Sequence, residues 1–330
     1  MLSRVANALY WMNRYLERAE NTARIIESQL HMLLDLPSMR KDPNAWKPLV
    51  DITGDAKYFT ENIGDYTREN VIFFHTFDNK YPHSITSCLT AARENARSVR
   101  EIIPSEMWEK INNLYLGIAE PGADEEAGRS PHKFYYDIKM SCHLIIGIAY
   151  STMAHGEAWH FSQLGRYLER ADKTSRILDV KYFIILPRVD YVGSSLDNVQ
   201  WTALLKSTSS LEMYRKRFNL ISSNNIVDFL IFDRVFPRSV LYCINHAEQS
   251  LSKIYGASDE LSSSSSLYRL MGKLKGKVNY SHIDEVMDIG LHQFLDGIQY
   301  DLNTVGEEIH ENFFALKKVS DSSSIGAQVQ

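Results

Sequence analysis

Apolar residues recur at three- and four-residue spacing over residues 4–35, placing Met12, Tyr15, Leu16, Ala19, Ala23, Ile26 and Leu30 on one side of a helix. Ser3 can cap the start of this helix and Pro37 stops it. The same period covers roughly 83–118, 133–186, 197–221, 236–256 and 281–316, whereas the alternation of a half-buried strand is scarce. The pattern predicts an all-α chain. Glycine and proline gather at 37–44, 117–131 and 186–195, which read as loops. Residues 258–266 read as a polar linker and 319–330 as a disordered tail.

The pattern also repeats. RYLERAENTARI at 14–25 returns as RYLERADKTSRI at 166–177, nine of twelve residues identical at an offset of 152. FDNKYPHSI at 77–85 matches FDRVFPRSV at 232–240 at an offset of 155, which also relates Cys88 to Cys243 and Trp46 to Trp201. Anchors in the same order at nearly constant offset imply two tandem copies of one helical unit, 1–150 and 151–318, packed as a pseudo-twofold helical bundle. Pro82 and Pro237 are expected in the first turn of a helix, with Cys88 and Cys243 as small core residues beyond them.

Composition narrows the function classes. Basic residues number 36 against 41 acidic ones, a net charge of −5, so no global basic field exists for nucleic acid or an anionic membrane. The apolar runs at 144–150 and 182–186 fall far short of the roughly 20 residues a membrane helix needs. Asn7, Asn13 and Arg14 interrupt any leader-like run at the N-terminus, and three scattered cysteines lack a CxxC spacing. A soluble, cytoplasmic protein is expected. Eleven histidines form no HExxH or HxH pattern, and GxGxxG, GxxxxGK[ST] and GxSxG are missing, so neither a metal nor a cofactor is expected.

The candidate chemistry is a stripe on the first helix, Arg4, Asn7, Trp11, Arg14, Glu17, Arg18 and Asn21, opposite the apolar face. Arg166, Glu169 and Arg170 recur in register, while Trp159, Ser162 and Gln163 replace Asn7, Tyr10 and Trp11. Every basic residue of the shared stripe is arginine, whose planar fork suits a carboxylate or phosphate. Three readings stay open: Glu17 meets Arg170 and Glu169 meets Arg18 across an internal axis; the arginines hold an anionic ligand; or the stripe is solvated. Glu20–Arg24 and Asp172–Arg176 read as ordinary surface pairs one helical turn apart. Asn7 and Trp11 are secondary candidates. So is a cluster in the first copy alone, Arg93, Glu94, Arg97 and Arg100, which reads equally as a solvated face.

These segments resemble the Alpha-E family, an α-helical domain with an ER motif that is typically duplicated in tandem. LSRVANALYWMNRYLERAENTARII, FDNKYPHSITSCLTAARENARSVREII and WHFSQLGRYLERADKTSRILD carry the likeness. Members of the family are associated by gene context with ATP-grasp ligases, transglutaminase-like proteins and a peptidase of the N-terminal nucleophile class. The resemblance therefore implies an accessory or substrate-recognition component of a peptide synthesis or modification system. Its partner would be of ATP-grasp or transglutaminase-like type, and its arginines would hold a carboxylate or phosphate. The alternatives are an enzyme using Glu17 or Glu169 beside charge-stabilising arginines, and a purely structural helical scaffold.

Overall fold

The computed structural model of the chain describes residues 1–36, 42–185, 195–256 and 265–315. Sixteen α-helices and no β-strand occur among these described residues. In order they are α1 (Ser3–Asp35), α2 (Lys47–Thr53), α3 (Ala56–Asn62), α4 (Arg68–Thr76), α5 (Ile85–Ser98), α6 (Ser105–Ala119), α7 (Ala123–Arg129) and α8 (Pro131–Thr152). Then follow α9 (Glu157–Ile185), α10 (Ser195–Ser207), α11 (Leu211–Arg217), α12 (Ser223–Phe232), α13 (Val240–Tyr255), α14 (Ser266–Tyr280), α15 (Ile283–Ile289) and α16 (Leu291–Ile309). A π-helical turn, His310–Phe314, closes the described chain.

Helices α1 and α9 lie against each other at the centre; α1 also packs on α5 and α8, and α9 on α13 and α16. Small and apolar residues allow this. Leu9, Met12, Leu16, Ala19, Ala23 and Ile26 of α1 are buried, as are Leu164, Leu168, Ala171, Ile177 and Leu178 of α9. Two apolar cores result, one around each long helix, and Ile25, Ile254, Phe313 and Phe314 touch both.

The matched segments take matching local structure. Ser84 caps α5 by accepting from Ser87 N, and Ser239 caps α13 by accepting from Tyr242 N, both at 3.1 Å. The Sγ of Cys88 lies 3.9 Å from the Pro82 carbonyl oxygen and that of Cys243 lies 3.5 Å from that of Pro237, and both thiols are buried as expected. A further correspondence emerges only with burial: Phe134, Tyr135, Ile138, Cys142, Ile145 and Ala149 of α8 share their spacing with Phe294, Leu295, Ile298, Leu302, Val305 and Ile309 of α16.

Several sequence expectations need correction. Pro82 and Pro237 precede the capping serines by two residues instead of lying in the first turn, because the serine hydroxyl satisfies the helix-start amides. Leu2 occupies the cap position of α1 without a side-chain bond, so Ser3 does not cap it. The stretch 83–118 breaks ahead of Pro104, which disfavours helix in the residue before it. The stretch 133–186 breaks at 153–156, where Met153 turns extended. Residues 117–131 contain helix α7, whose first turn carries Asp124, Glu125 and Glu126, favourable at a helix N-terminus. The periodicity reading also passed over the short helices α2, α3, α4 and α12, and helix α14. Pro37, most of the 186–195 loop and of the 258–266 linker, and the 319–330 tail lie outside the described residues.

Candidate functional site

Five of the six residues of the two ER triplets meet where α1 faces α9, and the pairing of Glu17 with Arg170 and of Glu169 with Arg18, one of the three readings left open by the sequence, is the one the structure shows. Arg170 donates to Glu17 through Nε at 2.8 Å and Nη2 at 2.7 Å. Reciprocally, Arg18 donates to Glu169 through Nε at 2.6 Å and Nη2 at 2.9 Å. Each pair is the two-point fork that makes arginine irreplaceable by lysine. Both carboxylates are wholly enclosed. Arg14 adds a third bond to Glu169 through Nε at 2.8 Å, while its guanidinium lies 5.0 Å from the Trp11 ring and its Nη1 donates to the Tyr10 hydroxyl.

Around this lock sit groups that sequence reasoning missed. Arg238, from the segment before α13, reaches Glu17 at 3.3 Å and Asn21 at 3.2 Å, and also pairs with Glu20. Glu20 further accepts from Arg24 and bonds His143 at 2.9 Å. Lys173 approaches Glu169 at 3.6 Å, and Arg18 Nη1 meets His83 Nδ1 at 2.7 Å. The one sequence signal was positional: His83 in the segment 77–85 stands where the matching segment 232–240 carries Arg238. Glu20–Arg24 and Asp172–Arg176 are not surface pairs, since Glu20, Arg24 and Asp172 are all buried, because α1 and α9 are covered on nearly every side.

The electrostatics follow from this packing. Burial opposes ionisation of Glu17, yet Arg170 and Arg238 hold its carboxyl below the usual range. Burial likewise works against ionised Glu169, but Arg18 and Arg14 hold it well below that range, and Arg238 does the same for Glu20. Burial, then Arg18 and Lys173, push His83 down to about 4, so its ring is neutral near pH 7 and its Nδ1 accepts from Arg18. Arg238 stands apart. Burial, then the neighbouring Arg24, push it down to about 10 despite Glu20.

Arg166 is the exception among the six. Its Nη2 donates to Gln163 Oε1 and its guanidinium lies 4.7 Å from the Tyr167 ring, but its buried Nε has no partner. Glu20 Oε2 and Arg24 Nε, on the same side of the lock, are also buried without partners. Arg166, Arg170, Arg238, His143 and Ser209 border a cleft of about 480 Å³ whose other walls include Ile146, Tyr150 and Phe236, and no carboxylate lines it.

Of the secondary candidates, Trp11 joins the site beneath Arg14, and Asn7 lies one turn away with its Oδ1 buried and unpaired. The cluster of Arg93, Glu94, Arg97 and Arg100 does not join. Arg93 bonds Asn112 and Glu94, Arg97 pairs with Glu94, and Arg93 and Arg100 lie over the rings of Tyr115 and Trp108 on α6. It is a separate surface arrangement. No group of three or more potential metal ligands is gathered among the described residues.

An all-helical protein whose two longest helices are joined by reciprocal arginine–glutamate forks is the class that this geometry defines. The chain belongs to the Alpha-E family, described as a predicted alpha-helical domain with a conserved ER motif, whose model matches residues 1–314. It is similar to a protein of Mycobacterium bovis and to proteins from two strains of Mycobacterium tuberculosis, each named only as uncharacterised, at 23% identity over 96% of the chain. The chain spans 36% of the length of those relatives. No solved structure matches it. No helix among the described residues is long and apolar enough to cross a membrane.

Proposed function

We propose that the protein is a recognition component of an ATP-dependent peptide-ligating or peptide-modifying system in a reducing compartment such as the cytoplasm. In this reading it is built from two tandem copies, its ER acids hold the copies together, and its second-copy arginines bind an anionic group. The observation that carries it is Arg166: a structural lock has use for the other five charged groups, but Arg166 keeps an unpaired Nε beside an open, acid-free cleft. The relatives support a module that works beside other protein parts, since most of their length lies outside the matched region. Glu17 and Glu169 suit a lock better than acid–base catalysis, because an enclosed carboxylate held ionised by two arginines neither gives nor takes a proton readily.

The test pairs two measurements on the full chain co-expressed with an ATP-grasp or transglutaminase-like protein: thermal midpoint and retention of the partner. Arg166→Gln is expected to keep the midpoint and lose retention. Failure of the parent chain to retain either type of partner overturns the accessory role.

A further inference from the structure

We infer that the cleft beside the second ER motif binds a doubly charged phosphoryl group carried on a compact apolar body, with Arg166 and Ser209 as contact residues. This deepens the anion-binding reading above and rests on it.

Charge selects the head group. On this side of the lock four guanidinium groups, Arg24, Arg166, Arg170 and Arg238, surround two carboxylates, Glu17 and Glu20. A single carboxylate ligand would leave positive charge uncompensated, whereas a phosphate monoester carries roughly −1.5 to −2 near pH 7. Arg166, which lines the cleft, keeps a buried Nε donor that still lacks an acceptor. The space selects the body: about 480 Å³ exceeds what an inorganic anion needs, and Ile146, Tyr150 and Phe236 offer apolar walls.

Backbone conformation marks Ser209 independently. It is the one non-glycine residue among those described with positive φ, at 48°, and it lines the cleft while accepting from Arg24 Nη1. The position related to it by the offset of 155 is Gly54, at φ 78°. The turn therefore needs only glycine, and serine holds a conformation that its Cβ disfavours. What serine adds is a hydroxyl at the mouth of the cleft. On the side of Arg14 and Arg18, Phe314 packs against Tyr10, Gly306 approaches Arg14, and neither arginine has a buried nitrogen without a partner among the described residues.

The experiment is calorimetric titration of the full chain with phenyl phosphate, benzoate and inorganic phosphate. Phenyl phosphate is expected to bind at least about tenfold more tightly than either of the others, and Arg166→Gln to weaken it by about tenfold or more. Ser209→Gly is expected to weaken binding while leaving the thermal midpoint unchanged or raised, a combination that a merely structural serine would not produce. Equal affinity for benzoate overturns the dianionic head, equal affinity for inorganic phosphate overturns the apolar body, and indifference to Arg166→Gln in a folded variant overturns the site. If phenyl phosphate does not bind while partner retention still depends on Arg166, the phosphoryl assignment falls and the accessory role stands.

Discussion

A Cβ placed on Gly165 of α9 would lie 2.3 Å from the backbone carbonyl oxygen of Tyr10 in α1 and 3.0 Å from its carbonyl carbon. Backbone cannot yield as a flexible side chain can, so glycine here sets how closely the two long helices approach. That approach puts Glu17 within reach of Arg170, and Glu169 within reach of Arg18.

Gly165→Ala is therefore expected to push the helices apart and strain the reciprocal forks. Overpacking of this kind costs about 1–3 kcal/mol before any loss of the ion pairs. The urea midpoint reads it, and a midpoint equal to that of the parent chain would show that the helices can separate freely.

Glu17→Ala and Glu169→Ala each strand buried arginines without their anion. The expected loss is about 3–5 kcal/mol for either, whereas Arg97→Ala, in an exposed pair, should cost at most about 1 kcal/mol. Equilibrium urea melts rank the three. Near-equal melts would remove the lock as the element joining α1 to α9.

Lysine substitutions separate lock from ligand. Arg18→Lys and Arg170→Lys keep the charge but lose the two-point geometry, so both should lower the thermal midpoint. Arg166→Lys gives up a bond to Gln163 and the guanidinium's contact with the Tyr167 ring, neither of them part of the lock, and should leave the midpoint nearly unchanged while weakening anion binding. A drop in midpoint for Arg166→Lys as large as that for Arg18→Lys would place Arg166 inside the lock.

Acid should destabilise the fold in two stages. Burial holds His75 down to about 3, and burial with Arg18 holds His83 down to about 4, both from an ordinary 6.5. Between pH 6.5 and 4 the unfolded chain thus binds protons that the folded chain refuses, and stability falls as pH falls. Below about 4.5 the lowered carboxyls of Glu17, Glu20 and Glu169 add the same sign, since their stabilisation is present above that pH and lost as they protonate. Urea melts from pH 7.5 to 4 should show a midpoint that declines throughout. A His83→Gln variant should lose part of the slope above pH 4.5, and an unaltered slope there would acquit His83.

The helical class, the repeated anchors and the six charged residues of the two motifs were legible in the chain itself. Helical periodicity is local, and nine identical residues in twelve survive as text whatever the fold does with them. Helix ends were less legible, because whether a proline or a serine begins α5 depends on which group satisfies the free amides. Burial of the polar stripe was legible only as one of three readings. The pairing of Glu17 with Arg170 and of Glu169 with Arg18 could be written down from the repeat, but the same polarity also fits a ligand site or a solvent face, and only the packing of α9 on α1 turned that face inward. The same holds for Arg238, His143 and Ser209, which lie far from the motif in sequence and reach the site through long-range packing. Local spacing determines which side chains share one face of a helix; what faces them across a helix contact is set by the path of the whole chain, and that is where the cleft was decided.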